Sequence, residues 1–161
     1  MKLKAGDIFE FSINENSKSY GQIVSVFKKD TLSIIIFEGQ YRSRPDIEEL
    51  LQDNILLFGN TFDAKLHHNH WIVIGNETSN LSSVKLPYYK IGTGPIYVED
   101  FFENKLRKTK DNEESILTYR SYVAPVRFET ALKAFYKVVE WREEFEELLY
   151  SNVKKSNEIK I

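Results

Sequence analysis

The sequence has no cysteine and only one methionine. Without cysteine there can be no disulfide bond, no thiol nucleophile and no zinc site with sulfur ligands. A metal site would therefore have to use histidine and carboxylate ligands. Net charge is also small, since 22 Lys and Arg residues nearly balance 24 Asp and Glu residues, which leaves a formal charge of -2. Proteins that bind nucleic acid without sequence preference normally have a basic face, so the composition does not favour nucleic acid as a partner.

Long apolar runs are absent as well. No segment approaches the ~18 uninterrupted apolar residues of a membrane span. The N-terminal run MKLKAGDIFEF reaches Asp7 and Glu10 before any apolar stretch of the length that a signal peptide needs. These absences predict a cytoplasmic protein that has no membrane partner. The length of 161 residues and the aromatic content of 14% are typical of one folded domain covering residues 1–161.

Apolar residues that alternate or run together predict an α+β fold with an N-terminal antiparallel sheet. The first three strands should form a meander, and we expect a strongly bent sheet or a small barrel. The polar run 76–90 is interpreted as a loop, and the charged run 105–115 as a solvated hairpin or loop. Strands are predicted at 8–13, 20–27, 32–37, 55–62 and 71–75.

Two helices are predicted. Pro45 should open a short helix after the third strand, and this helix should end near Asn54. A long amphipathic helix is predicted from about Arg127 to about Ser151, because apolar residues recur there at intervals of three and four. The tail 153–161 is expected to fray.

The stretch LHHNHW contains every histidine of the chain, namely His67, His68 and His70. If the strand that follows began early, His68 and His70 would point to one face and could share a metal ion. Nothing in the spacing selects a third ligand, and the motifs HExxH, GxSxG and GxxxxGK[ST] are absent. We therefore predict no catalytic residue and no cofactor, and a metal hydrolase at His68 and His70 is the least favoured function.

A second alternative is a β-barrel domain that binds nucleic acid or a small ligand. The bent sheet and the basic run Lys105–Lys110 motivate it, because basic side chains contact phosphate and nearby Tyr119 and Tyr122 could stack on bases. The acids Asp111, Glu113 and Glu114 follow immediately and offset the charge. A solvated charged loop is therefore the preferred interpretation of this run.

Four ordered blocks resemble the immunity protein 26 family of bacterial polymorphic toxin systems over roughly the first ninety residues. They are GDIFEF from Gly6, YGQIV from Tyr20, PDIEELL from Pro45, and WIVIGN from Trp71 followed by Leu86 and Pro87. The resemblance implies a non-catalytic cytoplasmic protein that binds a toxin domain and blocks it. The motif positions Gly6, Asp7, Gly21, Trp71 and Gly75 are expected to have structural roles.

If this resemblance holds, exposed acids and aromatic residues are the candidate contacts with the toxin. Toxins of this kind include nucleases, whose basic clefts would favour an acidic partner surface. Aromatic side chains are the usual anchors of protein interfaces. The acidic candidates are Asp46, Glu48, Glu49, Asp53, Glu143, Glu144 and Glu147, and the aromatic candidates are Tyr41, Tyr88, Tyr89 and Trp141. The sequence does not indicate an oligomeric state.

Overall fold

The computed structural model describes residues 2–161 and contains two antiparallel sheets with helices packed on them. One sheet has five strands in the order β4-β3-β2-β1-β5, and the other has three in the order β6-β7-β8. The α+β prediction is therefore confirmed. The strands are β1 (Asp7–Phe11), β2 (Ser19–Lys28), β3 (Thr31–Phe37), β4 (Ile55–Phe62), β5 (Ile72–Asn76), β6 (Tyr89–Ile91), β7 (Tyr97–Glu99) and β8 (Lys105–Lys108).

The larger sheet is an antiparallel meander of β1 to β4, with β5 added beside β1. Strands β4 and β5 form its two edges, so the described sheet is open and the barrel alternative is wrong. β-Bulges interrupt several of the strand pairs, including the pairing of β1 with β5 between Ile8 and Phe9. Such bulges increase local twist and bend a strand.

The smaller sheet was not predicted as a sheet, although the run 91–102 indicates a Gly-rich turn and a short strand or helix start, and β7 lies within it. Its first strand, β6, begins inside the run that was interpreted as a loop, and β8 lies inside the run that was interpreted as a solvated hairpin or loop. The strands of this sheet are only three or four residues long. Strands of this length are too short to display a clear alternation of polar and apolar residues.

The helices are short. The first begins at Ile47 rather than at Pro45, with Asp46 at the N-cap position. Segments of 3₁₀ helix lie at Leu81–Ser83 and Glu143–Leu148. Within residues 2–161, no helix has both the length and the apolar character that crossing a membrane would require. The α-helices are α1 (Ile47–Leu50), α2 (Ala64–His67), α3 (Glu113–Ile116), α4 (Pro125–Phe135) and α5 (Tyr150–Asn157).

The prediction of one long helix from Arg127 to Ser151 is wrong, because α4 ends at Phe135. Lys137 has a φ of 63°, and its backbone N–H donates to the carbonyl of Ala134 at 3.0 Å. The N–H of Val138 donates to the carbonyl of Lys133 at 2.9 Å. Together these bonds form a Schellman motif, which satisfies the last carbonyls of a helix and turns the chain away.

The tail, which was expected to fray from residue 153, begins inside a helix. Helix α5 continues to Asn157, and Val153 and Ser156 are buried. The Asn157 side chain donates to the carbonyl of Leu86 at 2.8 Å. These contacts hold the start of the tail against the body of the protein.

Both faces of the five-stranded sheet are covered. Helix α4 packs on one face through Phe128 and Leu132, next to Phe9 of β1. On the other face Phe101 and Tyr150 pack against a second cluster of sheet residues. The continuous run Ile34-Ile35-Ile36 fits this arrangement, because a strand that is covered on both sides needs no polar face.

Candidate functional site

The first group of predicted acids lies around the connection from β3 to β4. Glu48 and Glu49 are exposed on α1, and Asp46 is exposed at its N-cap. Asp53 accepts hydrogen bonds from the Tyr41 hydroxyl at 2.9 Å and from the Gly39 backbone N–H at 2.8 Å. Burial and the bond to Asp53 raise the pKa of Tyr41. Asp53 and Tyr41 are thus half-buried and hold the connection in place, while the three helix acids face solvent.

The second group lies on and before the 3₁₀ helix Glu143–Leu148. Trp141 is 36% exposed, and its indole N–H donates to Glu146 Oε1 at 2.8 Å. Its ring meets that of Phe145 edge-on, with 5.4 Å between centroids. Glu144 forms ion pairs with Arg142 at 2.8 Å and Arg127 at 3.6 Å. Trp141 is therefore a partly exposed aromatic side chain that its neighbours hold in place.

Glu143, Glu144 and Glu147 also border a surface groove. Ser115 and Ile116 of α3 and Lys155 of α5 also line this groove. Glu143 and Glu147 are exposed and belong to no ion pair within the described chain, residues 2–161. The predicted acids of the second group therefore form an exposed acidic border next to Trp141.

The structure separates the two predicted tyrosines of the 76–90 segment. Tyr89 is 7% exposed; its hydroxyl accepts a hydrogen bond from the Asn60 side chain at 3.0 Å. The Arg120 guanidinium lies 4.2 Å from the centre of its ring. Burial raises the pKa of Tyr89. Tyr89 is thus a core residue, whereas Tyr88 is half-buried beside the strongly exposed Phe102.

The stretch LHHNHW forms the end of a helix rather than the start of a strand. Helix α2 ends at His67, and Asn69 has a φ of 59°. The N–H of His70 donates to the carbonyl of Lys65, and that of Asn69 to the carbonyl of Leu66, which is again a Schellman motif. The expectation that His68 and His70 share a strand face is therefore wrong.

The metal hypothesis gains no third ligand from the structure. His67 Nε2 lies 2.9 Å from Asp63 Oδ2, but His68 and His70 are exposed and outside this pair. Across residues 2–161 there is no group of three or more His, Asp or Glu side chains arranged to hold a metal ion. The residue of this stretch with the clearest role is Trp71, which is buried and stacks on Phe9 with 4.8 Å between ring centroids.

Part of the basic run is engaged in contacts within the protein. Arg107 binds Glu113 through two hydrogen bonds of 2.8 Å, and this pairing holds the pKa of Glu113 at about 2. Lys105 lies over the ring of Tyr97, and the Tyr119 hydroxyl donates to the carbonyl of Gly92. These intramolecular contacts occupy Lys105, Arg107 and the Tyr119 hydroxyl, whereas Lys108 and Lys110 remain exposed.

Sequence reasoning missed an ion cluster centred on Glu10, whose side chain is 6% exposed, whereas its partners Arg44 and Lys18 are partly exposed. Arg44 donates two hydrogen bonds to its carboxylate at 2.9 and 3.2 Å, Tyr20 donates one at 2.7 Å, and Lys18 lies 3.4 Å away. The hydrogen bonds from Arg44 have the largest effect on the pKa of Glu10, and the bond from Tyr20 adds to it. Together they lower this pKa to about 2, although burial raises it. The cluster fastens the segment before α1 to the sheet. The only indication of this cluster in the sequence was Glu10 itself, an acid with an apolar residue on either side in β1.

The five motif positions have structural roles, as expected. A side chain at Gly21 would meet the ring of Phe9 at 2.3 Å, and one at Gly75 would meet Ile47 at 2.6 Å. Gly6 has a φ of 92°. Asp7 accepts hydrogen bonds from the Lys4 backbone at 3.0 Å and the Asn76 side chain at 2.9 Å.

The fold and surface thus define an α+β protein whose candidate site is an exposed acidic and aromatic face. The family model described as immunity protein 26 matches residues 4–97, more than half of the chain. The chain belongs to the immunity protein 26 family, whose members are immunity proteins of toxin systems. Searches of curated proteins and of solved structures found no match.

Proposed function

We propose that this protein acts in the bacterial cytoplasm, where it binds a cognate toxin domain and blocks it by covering its active surface, without catalysis. Membership of the immunity protein 26 family is the observation that carries this proposal. The toxin would come from a polymorphic toxin system. Nucleases are the toxin class that we favour, because a basic nucleic-acid cleft is complementary to an acidic inhibitor surface.

The surface of the molecule supports inhibition by binding. The exposed acids among the predicted contacts lie at two places, on and before α1 and along Glu143–Leu148, and the second place also has the partly exposed Trp141. Interfaces typically combine an aromatic anchor with a polar border. The histidines were the candidate residues for a metal hydrolase. They lie at the exposed end of α2, in the turn that leads to Trp71.

Co-expression with the toxin encoded beside the gene tests the proposal. We expect the wild-type protein to restore growth of cells that express the toxin. The triple variant H67A/H68A/H70A should protect equally well, because binding does not use the histidines. An unrelated toxin with the same readout serves as the specificity control and should remain lethal.

Two results would contradict the proposal. If the folded wild-type protein gave no protection, the assignment of this toxin as the partner would be wrong. If the triple histidine variant folded normally but lost protection, the histidines would have to be reconsidered as a chemical site.

A further inference from the structure

Four large apolar side chains are exposed within seven consecutive residues at the end of α4. They are Phe135 at 38% exposure, Val138 at 59%, Val139 at 41% and Trp141 at 36%, and we call them the 135–141 patch. All four line one shallow depression on the surface. Contiguous exposed apolar surface of this kind marks interaction sites, whereas scattered exposed apolar residues do not.

The 135–141 patch is held in a fixed shape. The Schellman motif at Lys137 sets the direction in which the chain leaves α4. The Tyr136 hydroxyl donates to the carbonyl of Glu38, and Trp141 is fixed by Glu146 and by the fully buried Phe145. A surface that is already ordered loses little conformational entropy when a partner binds.

The chain within and directly after the patch is acidic, and Glu146 of this segment contacts Trp141. Residues 137–147 contain five glutamates and two basic residues, a net charge of -3, which exceeds the -2 of the whole chain. One of the two, Arg142, is already paired with Glu144. Charge complementarity therefore favours a partner whose contact surface is bordered by Lys and Arg.

The patch also lies outside the segment that matches the family model, which ends at residue 97. Within the matched segment, the five motif positions are all used for turns and packing. These motif positions of the matched segment thus build the scaffold. The surface that distinguishes one partner from another is then expected on the remaining part of the chain.

We propose that the 135–141 patch is the face that contacts the toxin, and that its counterpart on the toxin is an apolar surface bordered by basic side chains. This inference rests on the proposed function. The acids of α1 are the weaker candidate, because the nearby Tyr41 is half-buried and tied to Asp53.

The test measures binding of the catalytically inactivated toxin domain by calorimetry. Val138→Asp places a charge in the centre of the patch, and Val126→Asp is the matched control, since Val126 is 52% exposed at the other end of the same helix. Both positions are exposed, so circular dichroism should show the wild-type fold for each variant. We expect Val138→Asp and Trp141→Ala each to weaken binding at least about 30-fold, the size of effect found at interface hot spots, and Val126→Asp to change it less than about 3-fold.

Several outcomes would overturn the inference. Wild-type affinity in Val138→Asp and Trp141→Ala would place the toxin elsewhere while leaving the proposed function intact. Equal weakening by Val126→Asp would show that the effect is not local to the patch. A wild-type dimer that Val138→Asp converts to a monomer would assign the patch to a second copy of this chain. Failure of the wild-type protein to bind would reject the proposed function together with the inference.

Discussion

Replacing Lys137 by glycine should stabilise the protein, although glycine normally destabilises helices. Lys137 occupies the position just after α4 with a φ of 63°, in the left-handed region. An L-residue in this region has a conformational cost of about 1–2 kcal/mol that glycine avoids. Glycine loses about 0.5–1 kcal/mol more backbone entropy on folding. Because the Lys137 side chain is exposed, its removal costs little, and we expect a net gain of about 0.5–1 kcal/mol.

The assay is urea unfolding followed by far-ultraviolet circular dichroism, with Lys133→Gly as the matched control. Lys133 is the same residue type inside α4, so glycine there should cost about 1 kcal/mol. Opposite signs for the two variants would confirm that α4 ends before residue 137. If both variants lost about 1 kcal/mol, the helix would continue through Lys137, and the geometry of the 135–141 patch would be wrong.

Two further predictions concern the part of the chain that matches the family. Glu10→Gln should destabilise the protein by about 2 kcal/mol at pH 7, because it removes the charge that Arg44 binds. Folding lowers the pKa of Glu10 from 4.5 to about 2, so the stability difference between wild type and Glu10→Gln should shrink as pH falls through that range. Urea unfolding across pH 2–5 measures this difference. A difference that stayed constant would contradict the ion cluster. Gly21→Ala should cost about 1–3 kcal/mol, because its methyl group would overlap Phe9, and thermal unfolding measures this. Gly94→Ala is the control and should be neutral or stabilising, because open space surrounds Gly94; equal effects would refute the packing argument.

The strands of the larger sheet could be predicted because their residues show either alternation or β-branched runs. Strand β4 has the predicted bounds, and β5 begins one residue later than predicted. The ends of two helices could not be predicted in the same way. A glycine usually marks the left-handed residue that ends a helix, but here that residue is Lys137 after α4 and Asn69 after α2.

The sequence indicated which types of residue form the candidate surface, but not which individual residues are exposed. Acids and Trp141 were selected as types that suit an interface, and the structure leaves Trp141 partly exposed but buries Tyr89. Val138 and Val139 were missed, because their spacing places them on the apolar stripe of the long helix that was predicted. The stripe is real as far as Leu132, but the chain turn at Lys137 leaves Val138 and Val139 exposed.

Titration of the toxin's activity with the purified protein tests the central claim most directly. If the protein works by covering the active surface, inhibition should be complete at one equivalent and should not increase with incubation time once binding is complete. Inhibition that became complete at a small fraction of an equivalent, and progressed with time, would instead show turnover and contradict a non-catalytic immunity protein. Full toxin activity at several equivalents would contradict the claim that this toxin is its partner.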